Sequence, residues 1–240
     1  MRVAWLVLPR TGSQFLVKLT TSLLGQALNP HSSLTPGRRE KGLPGLLTET
    51  EREGGFRRCA AAGAPEGYFA QHGAQSVKIE RPFADDLPQR LAAAHPQCRF
   101  LASIRSFRQV AASHEALSWG MPADQLLIVY TEHVAAIAAF SRMRSVLFVD
   151  VERLMPFDAV FFADWLGAPP TRAFTKLVEH WPIVNSLNDR IARDGARQGA
   201  ITPVTAEMLA AGEALDLRLR GFAARNNARL LRKWERRAQY

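Results

Sequence analysis

The sequence has little of three features that would assign a protein to a class at once. Cys59 and Cys98 are the only cysteines in 240 residues, too few for a disulfide framework and without metal-ligand spacing. We interpret both as thiols in a reducing compartment. No apolar run reaches the roughly 20 residues of a transmembrane helix, and the first run is too short for a signal peptide. These absences predict a cytoplasmic protein without a transmembrane segment.

Internal repeats and low-complexity tracts are also missing, and so is the GxxxxGK[ST] pattern of ATP and GTP P-loops. The composition, 47% hydrophobic and 22% charged, is that of an ordinary globular chain. Positive charge is in excess, because 31 Lys and Arg face 22 Asp and Glu and leave a net charge of +9. This surplus favours anionic partners, among them nucleotides, nucleic acid, sulfated substrates and membrane surfaces.

Apolar runs alternate with helical spacing along the chain. The runs predict buried strands at residues 3–8, 76–79, 100–104 and 146–149. Helical spacing predicts helices at 15–24, 87–94, 107–117, 122–143, 157–166 and 205–237, although the LLIVY segment of 122–143 also suits a strand. Strands that alternate with helices predict an α/β fold, a parallel β-sheet flanked by helices on both faces.

Residues 29–75 interrupt this alternation with eight of the 16 glycines and no sustained period. We interpret them as long loops with one or two short helices, an insert that is functional or only partly ordered. The expected organisation is a single domain over residues 1–240, with this loop-rich insert and a basic C-terminal helical segment at 205–238. The basic face of that segment is interpreted first as solvated and second as a contact for a polyanion or another subunit: Arg229, Arg232, Lys233, Arg236 and Arg237.

The first candidate site is the loop between the first predicted strand and helix, with the sequence PRTGSQF at residues 9–15. Gly12 lets the backbone turn sharply and approach a ligand closely. The N–H groups at the start of the following helix then face a bound anion, which the helix dipole favours. Thr11 and Ser13 add hydroxyl donors, and Arg10 adds a cation. The loop predicts a phosphate site, although many strand–helix turns contain Gly and Ser.

Two other pairs of polar residues lie at predicted strand ends. Arg105 follows the strand at 100–104, where ligands of open α/β sheets gather, and Ser113 lies about two helical turns further on. Both could bind one phosphate; the alternative is a surface arginine and a serine bonded to its own backbone. Lys78 and Glu80 are two residues apart and share one face of their strand, either as a functional pair or as an exposed charged edge.

In order and spacing, these three segments resemble the sulfotransferases that use 3′-phosphoadenosine 5′-phosphosulfate (PAPS). PRTGSQF is similar to the family's 5′-phosphosulfate loop, IRSFRQVAAS (104–113) to its 3′-phosphate motif, and VKIERP (77–82) to the strand that ends in its catalytic base. VLFVDVERL and FADWLG extend the resemblance to residues 3–167. The resemblance implies a P-loop nucleotide-binding-like (sulfotransferase-like) fold with PAPS as co-substrate and no metal.

For the nucleotide, the resemblance implies that Thr11–Ser13 cradle the phosphosulfate and that Phe15 packs near the adenine. Gln14 stands where the family often has a second Ser or Thr, so one phosphate contact is either missing or replaced by an amide contact. Arg105 and Ser113 would hold the 3′-phosphate, the group that distinguishes PAPS from ATP.

For the transfer, the resemblance implies that Arg10 contacts the 5′-phosphate and the bridging oxygen, where leaving-group charge develops. Lys78 would bind a sulfuryl oxygen. Glu80 falls where the family carries its base and would take the proton from an acceptor hydroxyl. Lys78 and Arg81 nearby should keep Glu80 ionised. The expected partners are PAPS, its product 3′-phosphoadenosine 5′-phosphate (PAP) and an unidentified hydroxyl acceptor, either a carbohydrate or a small molecule. Nucleic acid is not an expected partner, and a homo-oligomer is one option for assembly.

The rival hypotheses come from other classes. Gln14 and the loosely matched glycine loop at 193–199 motivate a catalytically lapsed nucleotide-binding protein with the same fold. The basic surplus motivates a polyanion- or nucleic-acid-binding protein, which no nucleic-acid motif supports. A phosphoryl-transferring kinase is disfavoured, because no Lys-Ser/Thr follows the glycine of the loop. His72 and His114 are rival bases to Glu80, although a lone histidine is more often structural.

Overall fold

The computed structural model describes residues 2–8, 11, 16, 19–20, 23, 33–34, 76–80, 86–117, 122–152, 159–179 and 204–238. Its strands are β1 (Val3–Val7), β2 (Ser33–Leu34), β3 (Ser76–Glu80), β4 (Arg99–Ile104) and β5 (Val146–Asp150). Its helices are α1 (Leu87–Ala94), α2 (Phe107–Leu117), α3 (Ala123–Met143), α4 (Ala159–Trp165), α5 (Arg172–Glu179) and α6 (Ala206–Ala238).

The strands form one parallel sheet in the order β2-β3-β1-β4-β5. From β1 the chain first moves to the β3 side of the sheet, and after β3 it crosses to the β4 side. The direction of strand addition therefore reverses at β1. In open α/β sheets, ligands bind outside the carboxyl ends of the strands at such a reversal.

Alternate side chains of each strand enter two different cores. On one face, Leu6, Phe100 and Phe148 cluster with α1, with the second half of α3 and with Leu219 and Ala223 of α6. On the opposite face, Trp5, Leu101 and Val149 cluster with α4, with Phe174 of α5 and with buried residues of helical backbone that follow β1: Leu16, Leu19 and Leu23. This confirms the predicted α/β fold with a parallel sheet covered by helices on both faces.

A third cluster lies at the carboxyl end of the sheet and joins Leu8 to α2, α3 and α6. Its central contact sets Phe107 of α2 edge-on to Tyr130 of α3, with ring centroids 5.4 Å apart. Gly212 of α6 lies so close that a Cβ there would meet Cδ1 of Phe107 at 2.2 Å. The missing side chain thus lets α6 approach the start of α2.

α6 also covers the open edge of β5. The Asn227 side chain accepts a hydrogen bond from the Phe148 N–H at 3.0 Å and donates one to the Phe148 carbonyl at 2.8 Å. The Asn226 amide donates to the Val146 carbonyl at 2.6 Å. These two side chains satisfy edge groups that would otherwise be free to pair with another strand.

Most predicted elements are confirmed within one or two residues. α3 is a helix throughout, so the strand alternative for LLIVY is wrong. Thr205 caps α6 and accepts a hydrogen bond from the Met208 N–H at 3.2 Å. β2 and α5 were not predicted. Apart from β2, the predicted insert at 29–75 lies outside the described residues.

Within the part of the chain that the structure describes, one helix, α3, is long and apolar enough to cross a membrane. It packs into two of the core clusters through Leu126, Tyr130, Ile137 and Phe140. These contacts are those of a core helix.

Candidate functional site

The register of the sheet brings the candidate residues to one edge. Val7 pairs with Glu80 of β3, and Leu6 pairs with Ala102 of β4. Ile104, at the end of β4, pairs with Asp150 of β5. The segments that follow these strands therefore begin beside one another at the carboxyl end of the sheet.

Thr11 closes a tight turn after β1. Its N–H donates to the Leu8 carbonyl at 3.1 Å, and its hydroxyl lies 2.6 Å from the same oxygen. The hydroxyl is also 2.6 Å from that of Ser103 in β4, and the side chain is buried. Thr11 thus anchors the start of the loop to the neighbouring strand β4, and its N–H and hydroxyl groups both face the interior of the protein. The phosphosulfate contact expected of its hydroxyl stays a prediction.

The other loop residues proposed for the nucleotide lie outside the described residues: Arg10, Gly12, Ser13, Gln14 and Phe15. For Lys78 and Glu80 the backbone is described. Lys78 pairs with Trp5, and Glu80 occupies the last paired position of β3 beside Val7. This is the strand-end placement that the sequence predicted for Glu80, and the loop after β1 begins next to it.

Arg105 lies directly after β4 and is half-buried. Its backbone carbonyl accepts a hydrogen bond from the Tyr130 hydroxyl at 2.8 Å, and its Nη2 is 3.5 Å from Oε1 of Gln109. Burial lowers the pKa of the Arg105 guanidinium, while the Glu152 carboxylate acts in the opposite direction. The guanidinium stays charged at neutral pH, since arginine is not deprotonated in proteins. Arg105 is therefore a fixed, partly exposed cation.

Ser113 stands on α2 at the expected distance along the chain from Arg105, but it is fully buried. The two side chains thus differ in solvent exposure: Arg105 is half-buried at the carboxyl edge, and Ser113 is fully buried. Their shared grip on a phosphate stays a prediction, and Arg105 is the member of the pair that solvent reaches.

Glu152 holds the turn that contains Arg105. Its Oε1 accepts hydrogen bonds from the Ser106 N–H at 3.2 Å and from the Ser106 hydroxyl at 2.6 Å. Arg220 of α6 forms ion pairs with both Glu152 and Asp150. The segments after β4 and β5 and the helix α6 are thereby joined by charged groups around Arg105. This cluster was not predicted from the sequence.

Asp216 of α6 caps the start of α2. Its carboxylate accepts the Phe107 N–H at 2.9 and 3.1 Å and shares the single proton of the Tyr130 hydroxyl with the Arg105 carbonyl. Burial raises the pKa of Asp216, and the hydrogen bonds together with Arg220 act against that rise. Burial and the Asp216 carboxylate raise the pKa of Tyr130. A carboxylate at a helix N-terminus is favourable, so Asp216 fixes both α2 and the Tyr130 hydroxyl that holds Arg105.

The charges of this cluster nearly cancel. Arg105 and Arg220 stand against the carboxyl groups of Asp150, Glu152 and Asp216. The described cluster holds the backbone at Arg105 in place, but it supplies no surplus positive charge. A bound dianion would need further cations, which the sequence offers in Arg10 and Lys78.

The two histidines proposed as rival bases give little to compare with Glu80, because His114 is buried and His72 lies outside the described residues. Within the described residues, no three His, Cys, Asp or Glu side chains are grouped so that they could hold a metal ion.

No family model matches the chain, and no curated protein matches it either. Function is therefore inferred from the residues and their geometry.

Proposed function

We propose that this chain is a PAPS-dependent sulfotransferase with a P-loop-like α/β fold, which transfers the sulfuryl group to a hydroxyl acceptor. The observation that supports the proposal is the meeting of three segments at the carboxyl edge, beside the strand where the sheet order reverses. The loop anchored by Thr11, the end of β3 at Glu80 and the turn at Arg105 all start there. This is the position at which open α/β sheets bind nucleotides.

In this proposal the transfer is direct and in line. Glu80 accepts the proton of the acceptor hydroxyl, whose oxygen forms a new bond to sulfur. The bond between sulfur and the bridging oxygen of PAPS breaks, and its electron pair leaves on the phosphate of PAP. Lys78 and Arg10 neutralise the charge that develops on the sulfuryl oxygens and on the leaving phosphate, a stabilisation that fixed cations supply well.

Arg105 recognises the 3′-phosphate of the nucleotide in the same proposal. The guanidinium suits a phosphate because its N–H groups can donate two parallel hydrogen bonds. Its backbone is held by Tyr130, and the next residue is held by Glu152. This support reduces the freedom that Arg105 would lose on binding, so the contact costs less entropy than one from an unrestrained side chain.

Calorimetric titration with PAP and, separately, with ATP tests the proposal. We expect PAP to bind more tightly than ATP, and Arg105→Ala to weaken PAP binding by about 10- to 100-fold, the loss of a hydrogen-bonded charge. Arg108→Ala is the matched control, because Arg108 lies only three residues further on, in the first turn of α2, but is exposed and paired with Glu213. Equal affinity for PAP and ATP, or equal losses in both variants, would contradict the proposal.

Turnover is tested by following PAP release from PAPS in the presence of a panel of hydroxyl acceptors. Glu80→Gln keeps the shape of the side chain and removes its basicity, so we expect turnover to fall by about 100-fold or more. PAP affinity should stay within about threefold of wild type, since the base does not hold the nucleotide. A variant that retained wild-type turnover would remove Glu80 from the mechanism.

A second candidate is a nucleotide-binding protein of the same fold that has lost transfer. Thr11 favours this second candidate, because its N–H and its hydroxyl both donate to the Leu8 carbonyl. The Gln14 position, where the resembled family often has a hydroxyl, points the same way. Such a protein would bind PAP with the dependence on Arg105 described above, yet release no PAP from PAPS with any acceptor.

A further inference from the structure

One face of α6 carries a row of arginines. Arg218, Arg225, Arg229, Arg232 and Arg236 are separated by seven, four, three and four residues, and all are exposed. At 3.6 residues per turn these separations place the five side chains within about 40° of one line along the helix. We call these five residues the arginine row. It is about 27 Å long, at 1.5 Å per residue.

The arginine row is not neutralised by the described part of the protein. No ion pair joins any of its members to a described carboxylate, whereas Arg220, on the opposite side of α6, is bound to Asp150 and Glu152. Arg229 donates a hydrogen bond to the neutral amide of Asn226 at 3.1 Å. Around the helix, Glu213 lies about 140° and Glu235 about 100° from the line of the row, and Glu235 is about 60° from Arg232. The row is therefore a concentrated patch of positive charge.

The opposite side of α6 is occupied. Leu219, Ala223 and Leu230 are buried against the sheet, so the helix cannot leave it to enter a groove in a partner. Its aromatic rings also face inward: Phe222 lies 5.7 Å from Phe148, and Trp234 lies 5.5 Å from Phe161. α6 thus offers a partner a straight line of guanidinium groups without stacking platforms.

We propose that the arginine row docks this protein on an anionic phospholipid surface. A plane meets all members of a straight row at once, whereas a strand of B-DNA winds around its axis within about 34 Å and meets fewer of them. Single-stranded nucleic acid is disfavoured because its binding sites stack bases on aromatic rings, which this row lacks. Clusters of four to eight Lys or Arg are the size that anionic lipid headgroups attract.

The proposal fixes how the molecule lies on the membrane. α6 runs antiparallel to β5, since Arg220 meets Asp150 at the end of the strand and Asn226 meets Val146 at its start. With α6 flat on the lipid, the strands also lie parallel to the surface. The carboxyl edge of the sheet then opens sideways into water, and it stays accessible to a dissolved ligand. Docking does not depend on the proposed sulfotransferase activity.

Vesicle co-sedimentation tests the docking. Wild-type protein is mixed with phosphatidylcholine vesicles that contain about one-third phosphatidylserine, and with vesicles of phosphatidylcholine alone. The test variant is Arg225→Gln/Arg232→Gln/Arg236→Gln, which leaves Arg229 and its bond to Asn226 in place. The control is Arg142→Gln/Arg172→Gln/Lys176→Gln, which removes the same charge from exposed positions on α3 and α5.

We expect binding to the phosphatidylserine vesicles alone, with release when NaCl rises from about 50 to about 500 mM. Each arginine near the surface contributes about a fivefold change, so the row variant should bind about 100-fold more weakly. The control should change by less than about threefold. Circular dichroism should show both variants folded, because all six substitutions are at exposed positions.

Three outcomes would overturn the proposal. Equal losses in the row variant and the control would mean that net charge, and not the row, attracts the lipid. Equal binding to both vesicle types would mean that lipid charge is not recognised. Tighter binding of duplex DNA or heparin than of the phosphatidylserine vesicles, lost in the row variant, would assign the row to a soluble polyanion.

Discussion

Two stretches of α6 meet the sheet with different chemistry. Along the open edge of β5, Asn226 and Asn227 use neutral amides to satisfy backbone groups of Val146 and Phe148. One and a half to three turns earlier, Asp216 and Arg220 use charges to hold the segments after β4 and β5. The first stretch closes the fold, and the second fixes the position of Arg105.

The difference shows how one helix can separate stability from function. An amide satisfies an edge strand without a titrating group, so its contribution should be constant over a wide pH range. A carboxylate and a guanidinium interact with neighbouring charges. An anion bound at Arg105 would therefore change the electrostatic potential at Glu152, Arg220 and Asp216. We therefore expect substitutions in the amide stretch to change mainly folding, and substitutions in the charged stretch to change ligand binding as well.

The largest effect should come from removing the amide stretch. Asn226→Ala/Asn227→Ala leaves the Val146 carbonyl and both backbone groups of Phe148 without their partners. Buried polar groups that lose their hydrogen bonds cost about 1 to 3 kcal/mol each, so we expect a total loss of about 3 to 5 kcal/mol in urea unfolding. Arg225→Ala, exposed on the same helix, should change stability by less than about 0.5 kcal/mol. A double variant as stable as that control would refute the role of the edge amides.

A pair of glycine substitutions sharpens the comparison within α6. Gly212→Ala places a Cβ against the buried Phe107 ring, so we expect a destabilisation of about 2 to 3 kcal/mol despite the better helix propensity of alanine. At Gly221 the nearest atom to a new Cβ is Nη1 of Arg225 at 3.5 Å, an ordinary contact. Gly221→Ala should therefore stabilise by up to about 1 kcal/mol. Thermal unfolding distinguishes the two, and the same sign for both would contradict the close approach of α6 to α2.

His133 is a buried polar side chain that lacks, among the described residues, hydrogen-bond partners such as those of Asn226 and Asn227. This lack has a predictable effect on the pH dependence of stability. Neither ring nitrogen has a hydrogen-bond partner among the described residues, and burial lowers its pKa from 6.5 to about 3. Between these values the unfolded chain binds a proton that the folded chain does not, so stability falls as pH falls below 6.5. At about pH 5 the loss is about 2 kcal/mol.

Urea unfolding of wild type and His133→Leu at about pH 7 and about pH 5 measures this loss. The variant keeps the other titratable groups, so the difference between the two pH dependences isolates His133. We expect wild type to lose about 2 kcal/mol more than the variant on acidification. Parallel pH dependences would show that His133 is not buried in its neutral form.

The smallest loss of stability is expected from Tyr130→Phe, at a residue of α3 that contacts the charged stretch. The variant removes the hydroxyl that bonds Asp216 and the Arg105 carbonyl but keeps the ring against Phe107. One lost hydrogen-bonding hydroxyl should cost about 1 kcal/mol in urea unfolding. Because Arg105 loses its support, PAP affinity should fall by a few-fold in calorimetry. A stability loss without any change in PAP affinity would separate Tyr130 from the proposed phosphate contact.

The strands could be predicted because burial on both faces makes them continuous apolar runs. All five residues of β1 are buried, and so are the first four of the five residues of β5. β2 has two residues, too few to show any period. α5 was missed because no element was predicted between the helix at 157–166 and residue 205. Thr171, whose hydroxyl accepts the Phe174 N–H at 3.1 Å, is an N-cap signal that could have found it.

The residues of the candidate site that could be predicted are those that lie just after a predicted strand. Thr11 and Arg105 follow predicted strands, and the structure places both at the carboxyl edge. Asp216 and Arg220 were not found, because they act on residues 109 and 70 positions away in the chain. Nothing in one sequence tells which side of a long helix meets a distant turn. Glu152, an acidic residue just after a predicted strand, carried a signal that the strand-end rule could have used.

The bond between α6 and β5 has a consequence for protein synthesis. The ribosome makes β5 long before it makes residues 206–238, so the nascent sheet passes through a period in which the outer groups of Val146 and Phe148 have no amides to bind. Such an edge can recruit a strand from another unfinished chain. Slow translation between the two segments should therefore favour aggregation, and a chaperone that shields β5 until α6 emerges should suppress it.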